Sequence, residues 1–415
     1  MTFDLLIAGG ELPGRGQFDV AIADGKIASV DTRIPHDAAR EVVDATGLLV
    51  VPGLVDLHAH VFPDVTYWGV DADALAPAAG VTTWVDAGSA GAFTIRGFRR
   101  FVVEPARVRI KAFLNVSSIG LVAPSWEVAA RRYLDEEQCL RAVEANRDLV
   151  VGLKVRIDRF TVGRLGLEPL EVALRLAGQA ELPLMTHIGH GPPALGEVLA
   201  RLRPGDILTH CATAASMSLV DGSGTVVRGV REAVERGVLL DIGHGSGAFS
   251  FRVAEALLAA GLAPRTISSD AHQHSVNGPM FDLPTCMTKL LALGMSLEDV
   301  VTAATTEPAR LIGADATLTA GALADVTLLA QEPGPFRIID VTGATREAPL
   351  RLRAARTFVG GKELAPAPLP LPPPWIELSE QQRAVRERAA RGERVDLPLA
   401  LDEIRELPPL AEADD

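Results

Sequence analysis

Cysteine is scarce. The three cysteines in 415 residues, Cys139, Cys211 and Cys286, give no disulfide framework, which fits a reducing compartment. Long apolar runs are missing too: no stretch of about 18 such residues exists, so no segment reads as a membrane span. The amino terminus, MTFDLLIAGGELPG, lacks a basic start and its apolar run is broken by glycines, so it does not read as a secretory leader. Positive charge is in deficit, with 40 Lys and Arg against 53 Asp and Glu and a formal net charge of −13. That field repels nucleic acid and anionic membranes at long range and says nothing against a small-molecule substrate. No short repeat of fixed period occurs, and the one low-complexity tract is a proline-rich linker. A cytoplasmic protein is the expectation. What remains is an ordinary globular composition, 48% hydrophobic and 22% charged. The length exceeds one small core, so one large domain with appendages or two domains are expected.

Residues 1–52 read as short strands separated by turns, with Asp24-Gly25 marking a tight hairpin. From Gly53 to Gly313 strand-like runs alternate with helical ones, the signature of parallel strands joined by crossover helices. Eight such runs are present, at 53–60, 81–88, 109–118, 149–157, 182–188, 205–212, 238–245 and 265–272. Eight strands in about 260 residues predict a (β/α)₈ TIM barrel. A doubly wound sheet would want a Gly-rich phosphate loop after the first strand, and GLVDLHAHVFP has none. Short strands return over 314–364, so both flanks are expected to form one small discontinuous β-sandwich domain. Residues 365–415 read as a proline-rich linker and tail. APAPLPLPPPW (365–375) predicts polyproline II, and Ser379 with Gln382 a capping box that opens a short polar helix ending near Gly392. The tail is either a solvated appendage or lies along a neighbouring subunit of a homo-oligomer, since Trp375, Ile376 and Leu378 would otherwise be exposed.

The chemistry concentrates at the strand ends. In GLVDLHAH, His58 and His60 stand two residues apart on a strand, so both imidazoles share one face. A bare pair does not make a metal site. Four further candidates stand at the ends of later strands, where barrel chemistry sits: Lys154, His187, His210 and Asp270. Lys154, in the middle of LVVGLKVRI, would be desolvated there and driven toward its neutral form. A neutral amine adds carbon dioxide to give an anionic carbamate with two oxygens, able to bridge two divalent cations. The alternative for Lys154 is a side chain that snorkels out of the barrel mouth.

With the motifs GLVDLHAH, GLKVR, THI, THC and SSDAH, residues 1–364 resemble the amidohydrolase superfamily in its binuclear subtype with a carbamylated lysine. The stretches LLDIGHGSGAFSF (239–251) and ISSDAHQHSVNGPMFDLP (267–284) resemble its dihydroorotase-like deacetylase branch. The resemblance implies that His58, His60 and Asp270 hold the more buried metal and His187 and His210 the more exposed one. The carbamate on Lys154 and a hydroxide would bridge them, and Asp270 would shuttle the proton. Zinc is the default ion for such nitrogen and oxygen donors.

Substrate contacts are expected from three residues. Arg156 shares the strand face of Lys154, placed either for a substrate carboxylate or for a nearby acid. His244, after strand 7, either hydrogen-bonds substrate or props the barrel mouth, and Asn277 belongs to a loop that could cover substrate. His190, His272 and His274 read as solvated loop residues. The resulting expectation is a metal-dependent deacetylase acting on an N-acyl or O-acyl acid. A cyclic amide hydrolase of the dihydroorotase or hydantoinase kind is the alternative. A non-catalytic scaffold would have lost ligand positions, and all six are present.

Overall fold

The computed structural model describes residues 2–366 and 371–390. Seven parallel strands, Leu54–Ala59, Val81–Ala87, Arg109–Asn115, Val150–Ile157, Leu184–Ile188, Ile207–Thr209 and Leu239–Asp241, pair in sequence order into one curved sheet. The eighth predicted strand departs from a regular ladder. It closes the barrel through single bridges, Thr266 to Asp241 on one side and Ala271 to Ala59 on the other. Side chains replace part of its ladder: Ser269 N donates to Asp56 Oδ1 at 3.0 Å, and Gly243 N donates to Ser268 Oγ at 3.0 Å. A strand anchored by its own amide on a carboxylate, and by its hydroxyl under a neighbouring loop's amide, holds its place without pairing continuously.

Val55, Leu57, Val85, Phe113, Met185 and Ile207 form an apolar cluster drawn from five of the strands. The surrounding helices bury their inner faces against the outside of the sheet. In Glu168–Ala180, for example, Leu170, Ala173, Leu176, Ala177 and Ala180 recur at three- and four-residue spacing and are buried.

The two chain ends build a second, mixed sheet of eight strands, which forks at Phe3–Leu12. That strand pairs in parallel with Ala39–Asp44 along its first half and meets Leu49 at Glu11. The Asp24-Gly25 turn joins Gly16–Ala23 to Lys26–Asp31 with φ of 51° and 71°, the left-handed pair a two-residue hairpin needs. The sheet grips the barrel directly. Its long strand Thr345–Val359 lies on helix Leu283–Ala292, with Leu352 N donating to Thr288 Oγ1 at 3.0 Å, and Thr357 Oγ1 donates to Pro77 O at 3.1 Å.

The carboxy-terminal segment corrects one expectation. Ile376 and Leu378 are 4% and 9% exposed within the single chain, so no second subunit is needed to cover them, while Trp375 stays half exposed. The capping box forms: Gln382 N donates to Ser379 Oγ and Ser379 N to Gln382 Oε1. It opens helix Glu380–Ala390, and Arg386 Nη1 donates to Asn277 Oδ1 at 3.2 Å in the loop after the eighth strand. Part of the proline tract and the expected helix end at Gly392 lie outside the described residues. Among the described residues no helix is long and apolar enough to cross a membrane.

Candidate metal centre

The six predicted ligands converge. The Oδ1 atom of Asp270 lies 3.4 Å from His58 Nε2 and 3.2 Å from His60 Nε2. The rings of His58 and His210 are 5.0 Å apart, and those of His187 and His210 are 4.4 Å apart. Lys154 Nζ lies 3.2 Å from His58 Nε2 and 3.3 Å from Met185 Sδ. Ligand atoms of His58, His210 and Asp270 all fall within 4.8 Å of one another. Local irregularity makes this convergence possible. Between Asp56 and Ala59 the first strand takes three steps against two on its partner, a bulge that re-aims the side chains near its end. His210 and Asp270 sit at φ of 68° and 50°, a costly left-handed conformation for such residues, of the order of 1–3 kcal/mol each.

The hydrogen bonds around the imidazoles decide which nitrogen faces inward. His210 Nδ1 lies 2.7 Å from the carbonyl of Gly243, which only accepts, so Nδ1 carries the proton and Nε2 the lone pair. For His58 the relay is longer. Thr209 Oγ1 donates to Asp241 Oδ2 at 2.7 Å and therefore accepts from His58 Nδ1 at 2.8 Å. Asp241 also accepts from the hydroxyls of Thr266 and Ser268. His60 Nδ1 contacts Ser89 Oγ at 3.0 Å, whose backbone amide is held by Asp86.

Burial keeps these rings neutral: it pulls His60 down to about 3 and His210 to about 4, and drives His58 and His187 well below the ordinary histidine range. Burial likewise pulls the Lys154 amine down to about 7. Neutral imidazoles with an outer partner on Nδ1 suit a divalent cation. Asp270 Oδ1 is buried with no hydrogen-bond partner, an uncompensated acceptor that a cation would satisfy. The donor set fits.

These residues floor a cavity of about 280 Å³, walled by Trp68, Arg159, Phe160, His190, Ser246 and His272. Arg156 lines it but is locked to Glu127 by two 2.6 Å bonds and donates to Pro124 O, so the expected nearby acid exists. Among the described residues its Nη1 has no hydrogen-bond partner. His244 is not at the cavity wall; it is fully buried against Phe249 and Lys289. Asn277 is buried too, its amide donating to Gln273 O at 2.7 Å, so it is a loop brace. His272, expected to be solvated, is 4% exposed and packs edge-on against Trp68, with ring centroids 4.9 Å apart. His274 is partly buried beside the same ring, and His190 is exposed at the rim. Sequence reasoning missed Thr209, Asp241, Ser89 and Asp86. The available signal was a hydroxyl or carboxylate set inside otherwise apolar strand runs such as DILTHC and VLLDIG.

Residues 49–364 match the model of the amidohydrolase family. A deacetylase of Agrobacterium fabrum is 38% identical over 346 residues, 82% of this chain and 85% of its own. A deacetylase of Enterococcus faecalis is 33% identical over 367 residues, 87% of this chain and 99% of its own. Among solved structures, an adenine deaminase superposes with a TM-score of 0.82 at 32% identity, covering 87% of this chain and 99% of its own. A dihydroorotase superposes with a TM-score of 0.80 at 36% identity, covering 86% and 98%.

Proposed function

The chain belongs to the amidohydrolase family and is a metal-dependent hydrolase of C–N bonds, and from that premise we propose a binuclear deacetylase acting on small N-acyl or O-acyl acids. The observation that carries this reading is the set of lone-pair-bearing Nε2 atoms beside the unpartnered Oδ1 of Asp270. His58, His60 and Asp270 would hold the more buried of two divalent cations, zinc by default, and His187 and His210 the more exposed. The buried, neutral-leaning amine of Lys154 would add carbon dioxide with loss of a proton, and the resulting carbamate would bridge the pair. So loaded, the site gains a Lewis acid for the scissile carbonyl and a water acidified toward neutrality.

The remaining work belongs to the side chains. The carboxylate of Asp270 takes the proton of the attacking water and returns it to the leaving nitrogen or oxygen as the C–N or C–O bond breaks. Trp68, Phe160 and His272 supply an apolar wall that excludes bulk water from the reacting carbonyl. Arg156 Nη1, steadied by the Glu127 pair, and Arg159 at the rim favour a carboxylate on the substrate. A cyclic amide hydrolase is the second reading, supported by the likeness to a dihydroorotase.

Acyclic N-acetyl and O-acetyl acids assayed beside dihydroorotate and hydantoins separate the two, with turnover expected for the acyclic set. Elemental analysis should find two divalent ions per chain, and metal-free active protein would overturn the proposal. Asp270→Asn should lower kcat by about 10³-fold or more. Near-normal turnover would reject its role.

A further inference from the structure

Lys289 lies outside the cavity yet is one of the largest fully buried side chains, on helix Leu283–Ala292. Its Nζ is 2.7 Å from Pro279 O and 2.8 Å from His244 Nε2. The direction of the second bond is fixed. His244 Nδ1 lies 2.8 Å from the carbonyl of Gly245, so Nδ1 carries the ring proton and Nε2 accepts from the lysine. The imidazole is held flat on Phe249, with centroids 4.6 Å apart and planes 14° apart.

We propose that Lys289 is a positioning residue, whose amine clamps the loop after the seventh barrel strand to the loop after the eighth and thereby fixes the two walls flanking Asp270.

Each loop has its own tie to the site. In the first, His244 N and Gly245 N donate to Ser268 O and Ser269 O, and Ser246 and Gly247 line the cavity. In the second, Ser275 Oγ donates to Asp270 O at 2.9 Å and accepts from His272 N at 2.9 Å, which seats His272 at the cavity wall. Among the described residues the amine makes hydrogen bonds to Pro279 and His244 alone, and no carboxylate lies within ion-pair distance of it. A methionine of similar length would fill the space without the cost of burying an amine. What the lysine adds is therefore two directed bonds, one to each loop. Burial draws its pKa down to about 8, and the amine donates both bonds with or without its third proton.

The functional consequence rests on the cavity being the hydrolytic site; the clamp itself does not, and the two are tested separately. Full-length, metal-loaded wild type, Lys289→Met and Lys289→Arg are compared by hydrogen exchange, metal content and steady-state kinetics. In Lys289→Met, exchange should rise about tenfold in both 243–249 and 272–281, with metal content unchanged. For the acylated substrate that wild type hydrolyses, kcat/KM should fall by about 10²-fold, mostly in kcat, because the walls no longer hold a productive geometry. Lys289→Arg, which keeps donors, should recover part of both effects. If Lys289→Met does not fold, His244→Phe replaces it: loop 243–249 should loosen while 272–281, still held at Pro279 O, keeps its rate. Unchanged exchange in both loops, or a rise spread evenly over the chain, would overturn the clamp. Loosened loops with full activity would also overturn it as a positioning device. Absence of hydrolysis in wild type would count against the functional reading alone.

Discussion

Thr209 and Asp241 show how a buried acceptor sets the chemistry of a ring with which it shares no hydrogen bond. Asp241 accepts three hydroxyl protons, from Thr209, Thr266 and Ser268, and burial raises its pKa without removing those bonds. Replacing it with Asn introduces an amide donor that the Thr209 hydroxyl no longer has reason to face as a donor. That hydroxyl is then released to donate to His58 Nδ1, which moves the ring proton to Nε2 and removes the inward lone pair. Asp241→Asn should therefore weaken metal affinity by about 10–100-fold, measured by competition with a chromophoric chelator. Equal affinity would mean the relay does not set the tautomer. Lys289 makes a second residue-scale prediction, in pH. Burial lowers its folded-state pKa from 10.5 to about 8, opposed by nearby Asp340 and Asp282. Between those values the unfolded chain holds the proton and the folded chain does not, so this group's contribution to stability rises with pH from about 8 to 10.5 and is lost as pH falls through about 8. Thermal melts at pH 8 and 10 should show the increment in wild type, and it should shrink in Lys289→Met.

Among the elements, the loop after the seventh strand is tightly constrained. Gly245 sits at φ 55°, and a Cβ there would lie 2.4 Å from Asp270 Oδ2. Gly245→Ala therefore strains the backbone and pushes on the carboxylate assigned the proton transfer, two effects a loop cannot absorb together. Activity should fall by about 10²-fold while the melting temperature drops only a few degrees, because the barrel core is untouched. A crystal structure of the variant should show the Asp270 side chain displaced, and an undisplaced carboxylate would refute the argument. The eighth strand is the complementary case. Its residues read as a strand in RTISSDAH, but Ser268 and Ser269 spend hydroxyl and amide on Asp241 and Asp56, so regular pairing gives way to side-chain anchoring. Period-two alternation cannot report that, because it registers which face a residue occupies and not which group its amide finds.

At the scale of the molecule, the barrel was legible because eight apolar runs alternate with amphipathic helices, and the convergence of six polar residues because five stand near the ends of such runs and Lys154 is a charge set inside one. Burial of His272 was not legible: Trp68, which covers it, comes from a loop about two hundred positions earlier. The carboxy-terminal segment was hidden for the same reason. Local composition marks 371–390 as an appendage, yet Ile376 and Leu378 are buried on the chain's own surface and Arg386 reaches Asn277 within the clamped loop. A chain ending at Pro366 would lose both apolar side chains, uncover the surface they pack on and remove that brace. Burying two aliphatic side chains contributes about 3–6 kcal/mol before the ordering cost of the segment is subtracted, so the net loss is a fraction of this. The truncated protein should melt several degrees lower with its metal content intact, and exchange in 272–281 should quicken while 243–249, held from the other side, should not. Since Ile376 and Leu378 are covered within one chain, its oligomeric state by light scattering should match the full-length protein. A change of oligomer on truncation would show instead that the tail bridges subunits.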